Sequence, residues 1–91
     1  MTSPATTPTR DEVASVVREL LSAELKIAPA DIADDVVLKE LPGADSVRLV
    51  RVVSRLERRW DREFEDDRVF ELRRFDELVA LTLSHLADDA G

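Results

Sequence analysis

Few side chains in this sequence can do covalent chemistry, and one hydroxyl stands out among them. Ser46 sits in the run Leu41-Pro42-Gly43-Ala44-Asp45-Ser46-Val47, just behind a turn-forming Pro-Gly pair. Asp45 is a good N-cap, because its short carboxylate can accept from the amides of a helix's first turn. Ser46 is therefore predicted in that turn, at the head of an amphipathic segment. An Asp-Ser pair alone is ordinary at helix starts; here it also closes a long irregular stretch. The other reactive groups form no constellation. His85, the one histidine, lies near the end of the last predicted helix without a nucleophile or metal-ligand partner, and a catalytic assignment needs such partners. The twenty Asp and Glu residues fall on helix starts and faces, where capping and solvation account for them. With no cysteine there is neither a disulfide nor a thiolate metal site. Gly43 and Gly91 are the only glycines, too few for a glycine-rich phosphate loop. The expectation is a protein that is not an enzyme and holds no metal.

The elements that must position Ser46 can be read from apolar spacing. The chain has 91 residues, which is room for one core. Two glycines and four prolines are too few for a turn-rich β fold, so an all-α fold is expected. Thr9-Arg10-Asp11-Glu12 forms a capping box, and Val13, Val16, Val17, Leu20, Leu21 and Leu25 follow as one stripe. A first helix is predicted from Arg10 to Leu25. Residues 26–44 break helical phase, yet Ile27, Ile32, Val36, Leu38 and Leu41 are spaced through them. This predicts a long loop with a short helical turn, pinned to the core by single apolar residues. In the second helix, Leu49, Val50, Val53, Leu56 and Trp60 are expected to form the buried stripe, with Val52 at its edge and Phe64 plugging the core behind it. A short third helix from Asp66 to Glu71 and a last helix from Phe75 to Leu86 complete a four-helix bundle. Phe75, Leu78, Val79 and Leu86 are predicted to face inward, with Leu81 and Leu83 widening that stripe. Residues 1–8 and 88–91 are expected to be a disordered and a frayed tail around a domain spanning 9–87.

Charge narrows the partners. The net charge of −7 argues against nucleic acid. No apolar run approaches membrane-spanning length, and the N-terminus lacks a signal-peptide pattern, so a cytoplasmic monomer with no membrane partner is expected. The sign is unevenly spread. From Ser46 to Trp60 there are five arginines (48, 51, 55, 58 and 59) against Glu57, a local charge of +4, which leaves −11 on the remainder.

The string Gly43-Ala44-Asp45-Ser46-Val47 resembles the Gly-x-Asp-Ser-Leu signature of the acyl carrier protein family. Trp60, Phe64, Leu72 and Phe75 fall on apolar positions typical of that family, and the resemblance covers about residues 10–87. It implies an acyl-carrier type of bundle, with three longer helices, a short third one and a long first loop. It implies 4'-phosphopantetheine, donated by coenzyme A, on Ser46, with Asp45 as the motif aspartate beside it. A helix N-terminus suits the phosphodiester of such an arm. The implied partners are a phosphopantetheinyl transferase and the enzymes that load and process the cargo: a ketosynthase, an acyltransferase or an adenylating enzyme.

Three departures qualify the resemblance. Val47 replaces the usual leucine, a position that commonly contacts partners. Pro42 precedes the glycine. Arg48 and Arg51 occupy positions that are typically acidic in carriers of fatty acid synthesis, so a basic synthase component would be repelled. Val47, Arg48, Arg51 and Arg55 are therefore expected to dock a different set of partners. The expectation is a standalone carrier of specialised metabolism, such as polyketide or antibiotic biosynthesis. Two alternatives remain open: a peptidyl or aminoacyl carrier, whose signature tends towards Gly-Gly-x-Ser, and an unmodified helical interaction module.

Overall fold

The computed structural model describes residues 8–88. Four helices follow in chain order: α1 (Arg10–Leu25), α2 (Ser46–Trp60), α3 (Asp66–Glu71) and α4 (Phe75–Asp88). Three are long and the third is short, as the spacing predicts; α4 runs two residues past the expected end. Most of the two expected tails, residues 1–7 and 89–91, lies outside the described residues.

Local chemistry sets the boundaries. Thr9 accepts from the Glu12 amide at 3.2 Å while Glu12 accepts from the Thr9 amide at 2.7 Å, so the capping box forms in full. Lys26 ends α1 in the left-handed region at φ 59°, and Asp61 ends α2 in the same way at φ 54°. Glu57 closes the turn after α2 by accepting from the Phe64 amide at 2.7 Å.

The core lies where α1 packs between α2 and α4. Val13, Val17 and Leu21 of α1 meet Val52 and Leu56 of α2 and Phe75, Leu78 and Val79 of α4, all essentially inaccessible. Phe64 is buried against them, and Val16 and Leu20 pack at the margin. The predicted phase of α2 needs correction. Val52, expected at the edge, is in the core, whereas Val50, expected inside, is 46% exposed. Leu49 and Trp60 are only partly buried. The reason is geometric: α3 is a single short helix, so the arc of α2 carrying Val50 is not covered by a full-length neighbour. Thr82, on the buried side of α4, is fully enclosed; its hydroxyl donates to the Leu78 carbonyl at 2.9 Å, which satisfies the buried polar group.

The long first loop is more ordered than a loop with one turn. It contains two 3₁₀ turns, Pro29–Asp31 and Leu38–Glu40. Ile32, Leu38 and Leu41 are buried as anchors, while Ile27 and Val36 pack partly. Val37 forms an antiparallel bridge with Arg74, in which the Leu38 amide donates to the Arg73 carbonyl at 2.7 Å and the Phe75 amide to the Val36 carbonyl at 2.9 Å. The loop is thus fastened to the α3–α4 connection. Arg18 adds a second fastening: its Nε donates to the Ile32 carbonyl at 2.9 Å, it pairs with Asp34, and its guanidinium lies 4.5 Å from the centre of the Phe75 ring.

Candidate functional site

The site begins with a turn. Pro42 and Gly43 occupy the centre of a turn closed by the Ala44 amide donating to the Leu41 carbonyl at 3.0 Å. Gly43 has φ 78°, which only glycine adopts at little cost, and proline before it suits such a turn. The turn delivers Asp45 in extended conformation as the N-cap of α2, its Oδ1 accepting from the Arg48 amide at 2.8 Å. Ser46 follows as the first helical residue. It is exposed, and its hydroxyl has no hydrogen-bond partner among the described residues. Its hydroxyl is thus open to solvent at the start of the helix.

Beside Ser46 lies a cleft lined by Leu49, Val50 and Val53 of α2, by Val69, Phe70 and Leu72 around α3, by Leu38 and Lys39 of the first loop, and by Leu78. Its walls are aliphatic and aromatic apart from Ser46 and Lys39. It offers about 70 Å³ of room. Sites that bury a drug-sized ligand run from roughly 300 to 1,000 Å³, so this cleft in its present shape receives at most a few carbon atoms. Of the cleft's lining residues Phe70 is 77% exposed and Val50 46%, and Val47, next to the serine in the chain, is 63% exposed.

The arginines expected to dock partners are not independent charges. Glu24 of α1 is nearly covered, and its carboxylate lies 3.4 Å from Arg51 Nη1 and 4.0 Å from Arg55 Nη2. Arg48 Nη1 donates to the Glu24 carbonyl at 3.1 Å, and Arg48 Nε lies 3.8 Å from Asp45 Oδ2. Arg48, Arg51 and Arg55 are therefore drawn into one array over α1. Exposed side chains remain on Arg51 and Arg55, so the array keeps a solvent-facing positive surface. Sequence reasoning missed Glu24. The signal available was the accumulation of five arginines on one helix, which calls for a counter-charge from a neighbour.

Other titratable groups serve the fold. His85 packs on Phe64 at 4.7 Å between ring centroids, and its Nδ1 lies 3.0 Å from the Leu81 carbonyl, which can only accept, so Nδ1 carries the proton. Glu77 accepts from the amides of Arg73 at 2.8 Å and Arg74 at 2.9 Å. Those two amides, with the Arg74 bond foremost, hold its carboxyl below the ordinary value. No group of three or more histidine, cysteine or acidic residues among the described residues could hold a metal ion, and no helix there is long and apolar enough to cross a membrane.

What sets Ser46 apart is its place, at the first position of α2 and on the lining of a small apolar cleft. The sequence model of the family described as phosphopantetheine attachment site matches residues 15–82. The chain belongs to that family, the acyl carrier proteins and their relatives. No curated protein matches the chain. Its cofactor is covalent 4'-phosphopantetheine, and its partners in general are a phosphopantetheinyl transferase and biosynthetic enzymes. The residues fit such a group: an exposed hydroxyl to bear it, a helix start to face its phosphate, and open surface for its length.

Proposed function

We propose that Ser46 bears the arm, and that the protein carries acyl intermediates of a specialised, polyketide-type pathway of the kind that makes antibiotics. The observation that carries this reading is the Ser46 hydroxyl, exposed and unengaged at the first position of α2. When bound, the arm ends in a thiol that holds the cargo as a thioester. Every other part of the function belongs to the chain. Ser46 supplies the oxygen that attacks the pantetheine-side phosphorus of coenzyme A on the transferase; the pyrophosphate bond breaks, adenosine 3',5'-bisphosphate leaves, and the hydroxyl proton passes to a base of the transferase. Asp45 fixes the helix start through the Arg48 amide. The bundle keeps the attachment point rigid, so that a tethered cargo meets each partner's active site at high effective concentration.

Support for an acyl rather than a peptidyl load comes from the Gly43-Ala44-Asp45-Ser46 string. Support for a specialised partner set comes from the charge of α2. Val47, Arg48, Arg51 and Arg55 are proposed as the docking residues, joined by the exposed Phe70 of α3. A partner that fits this face has an apolar patch rimmed by carboxylates, because a basic rim would meet Arg51 and Arg55 with like charge. Fragment-ion mapping of the protein made together with a phosphopantetheinyl transferase tests the assignment. The arm is expected on the peptide containing Ser46. Offering the modified protein to an acyltransferase and to an adenylating enzyme separates the two loads; transfer from the adenylating enzyme alone would replace the acyl reading with the aminoacyl one.

A further inference from the structure

Among the described residues, Lys39 is the only charged side chain that lines the cleft beside Ser46. It lies in the 3₁₀ turn Leu38–Glu40, whose base is held by the buried Leu38 and by the Leu38 amide donating to Arg73 at 2.7 Å. Its backbone is thereby fixed while its side chain is exposed. Among the described residues it has no ion-pair partner. The nearby cations of α2 are already engaged: Arg48 with Asp45 and the Glu24 carbonyl, Arg51 and Arg55 with the Glu24 carboxylate. The local anions are Asp45, committed to Arg48, and Glu40, exposed next to Lys39 in the chain.

We infer that Lys39 is a positioning residue for the arm, drawing its phosphodiester to the rim of the cleft; this rests on the attachment of the arm at Ser46 proposed above. A phosphodiester on Ser46 Oγ places a permanent negative charge within a few bonds of the serine and next to Asp45. The start of α2 favours that charge and Asp45 opposes it, so a cation on the same side adds to the attraction, and Lys39 is the uncommitted cation on the same cleft. Holding the phosphate there aims the start of the arm across Leu49 and Val50, not away into solvent.

The chain has two lysines, Lys26 and Lys39, so side-chain resonances of labelled lysine report each one separately. The titration is run on the unmodified protein and on the protein modified from coenzyme A, with intact mass recorded first. A phosphate about 4 Å away in water should raise the Lys39 midpoint by roughly half a pH unit, less at high salt, and leave Lys26 unmoved. In the modified protein, Lys39→Gln should also remove the shifts that modification induces in the amides of Leu49 and Val50. A Lys39 midpoint that stays put in protein whose mass shows the arm would overturn the inference and leave the attachment intact. Protein that gains no mass would overturn both. Two further samples carry the arm loaded with butyryl or with succinyl. A rise confined to the succinyl sample would assign Lys39 to a cargo carboxylate and overturn its role toward the phosphate.

Discussion

Glu24 of α1 holds Arg51 of α2 at 3.4 Å, and the two side chains differ sharply in exposure: 8% for the glutamate, 63% for the arginine. The acid is the buried anchor and the base is the displayed end. The pair orders a basic surface without neutralising its outer side.

Glu24→Gln should therefore loosen the array as well as the α1–α2 contact. The partner arginines are exposed, so the expected loss is about 1 kcal/mol at most. For a domain of this size each kcal/mol corresponds to about 4–8 °C in thermal midpoint. Calorimetry on Glu24→Gln, Arg51→Gln and the double variant checks this, because the second substitution should cost less in the presence of the first. Replacing Arg51 and Arg55 by glutamine, which removes the charge without setting new carboxylates against Glu24, should slow cognate cargo transfer while the helical spectrum is kept.

Core substitutions should follow the phase of α2 seen in the fold. Leu56→Ala empties a fully buried position and should cost about 2–5 kcal/mol. Trp60→Ala removes a larger but only partly buried side chain, so its cost should fall below the roughly 3–5 kcal/mol typical of enclosed aromatics. Denaturant midpoints rank the two; a larger loss for Trp60→Ala would put Trp60 inside.

Much of this fold was legible in the sequence, for physical reasons that differ by element. The limits of α1 follow from a capping box and a single stripe, both local. The position of Ser46 follows from Asp45 as a cap, also local. The phase of α2 was harder. Leu49, Val50, Val52 and Val53 spread over an arc wider than one buried face, and which of them enters the core depends on the placement of α1 and the shortness of α3. Glu24 and Lys39 were invisible for the same reason. Glu24 gains meaning only once α1 and α2 lie side by side. Lys39 does so only once the Val37–Arg74 bridge brings the first loop to the cleft.

Gly43→Ala isolates the turn that precedes the serine. An added Cβ would meet nothing closer than the Leu25 carbonyl at 3.9 Å, so no clash arises. The backbone at φ 78° is the whole penalty, about 1–2 kcal/mol. Asn at this position should recover part of it, since asparagine tolerates the left-handed region better. Equal thermal midpoints for wild type and Gly43→Ala would contradict this account of the turn.

Glu77 gives a pH dependence with a defined sign. Its carboxyl is held below its ordinary 4.5 in the folded protein, chiefly by the Arg74 amide and then by the Arg73 amide. A depressed acid adds stability above its unfolded value and loses it as pH falls through the folded value. Thermal midpoints measured from neutral pH downward should therefore fall more for wild type than for Glu77→Gln, with the difference opening below 4.5. Parallel curves would show that the two amides do not favour the charged form.

The central claim is that one serine accepts the arm. Intact mass after incubation with coenzyme A and a promiscuous phosphopantetheinyl transferase tests it most directly. The expected result is a gain of one phosphopantetheine in the wild-type protein and none in Ser46→Ala. A folded wild type that gains nothing, or a gain that survives in Ser46→Ala, would contradict it.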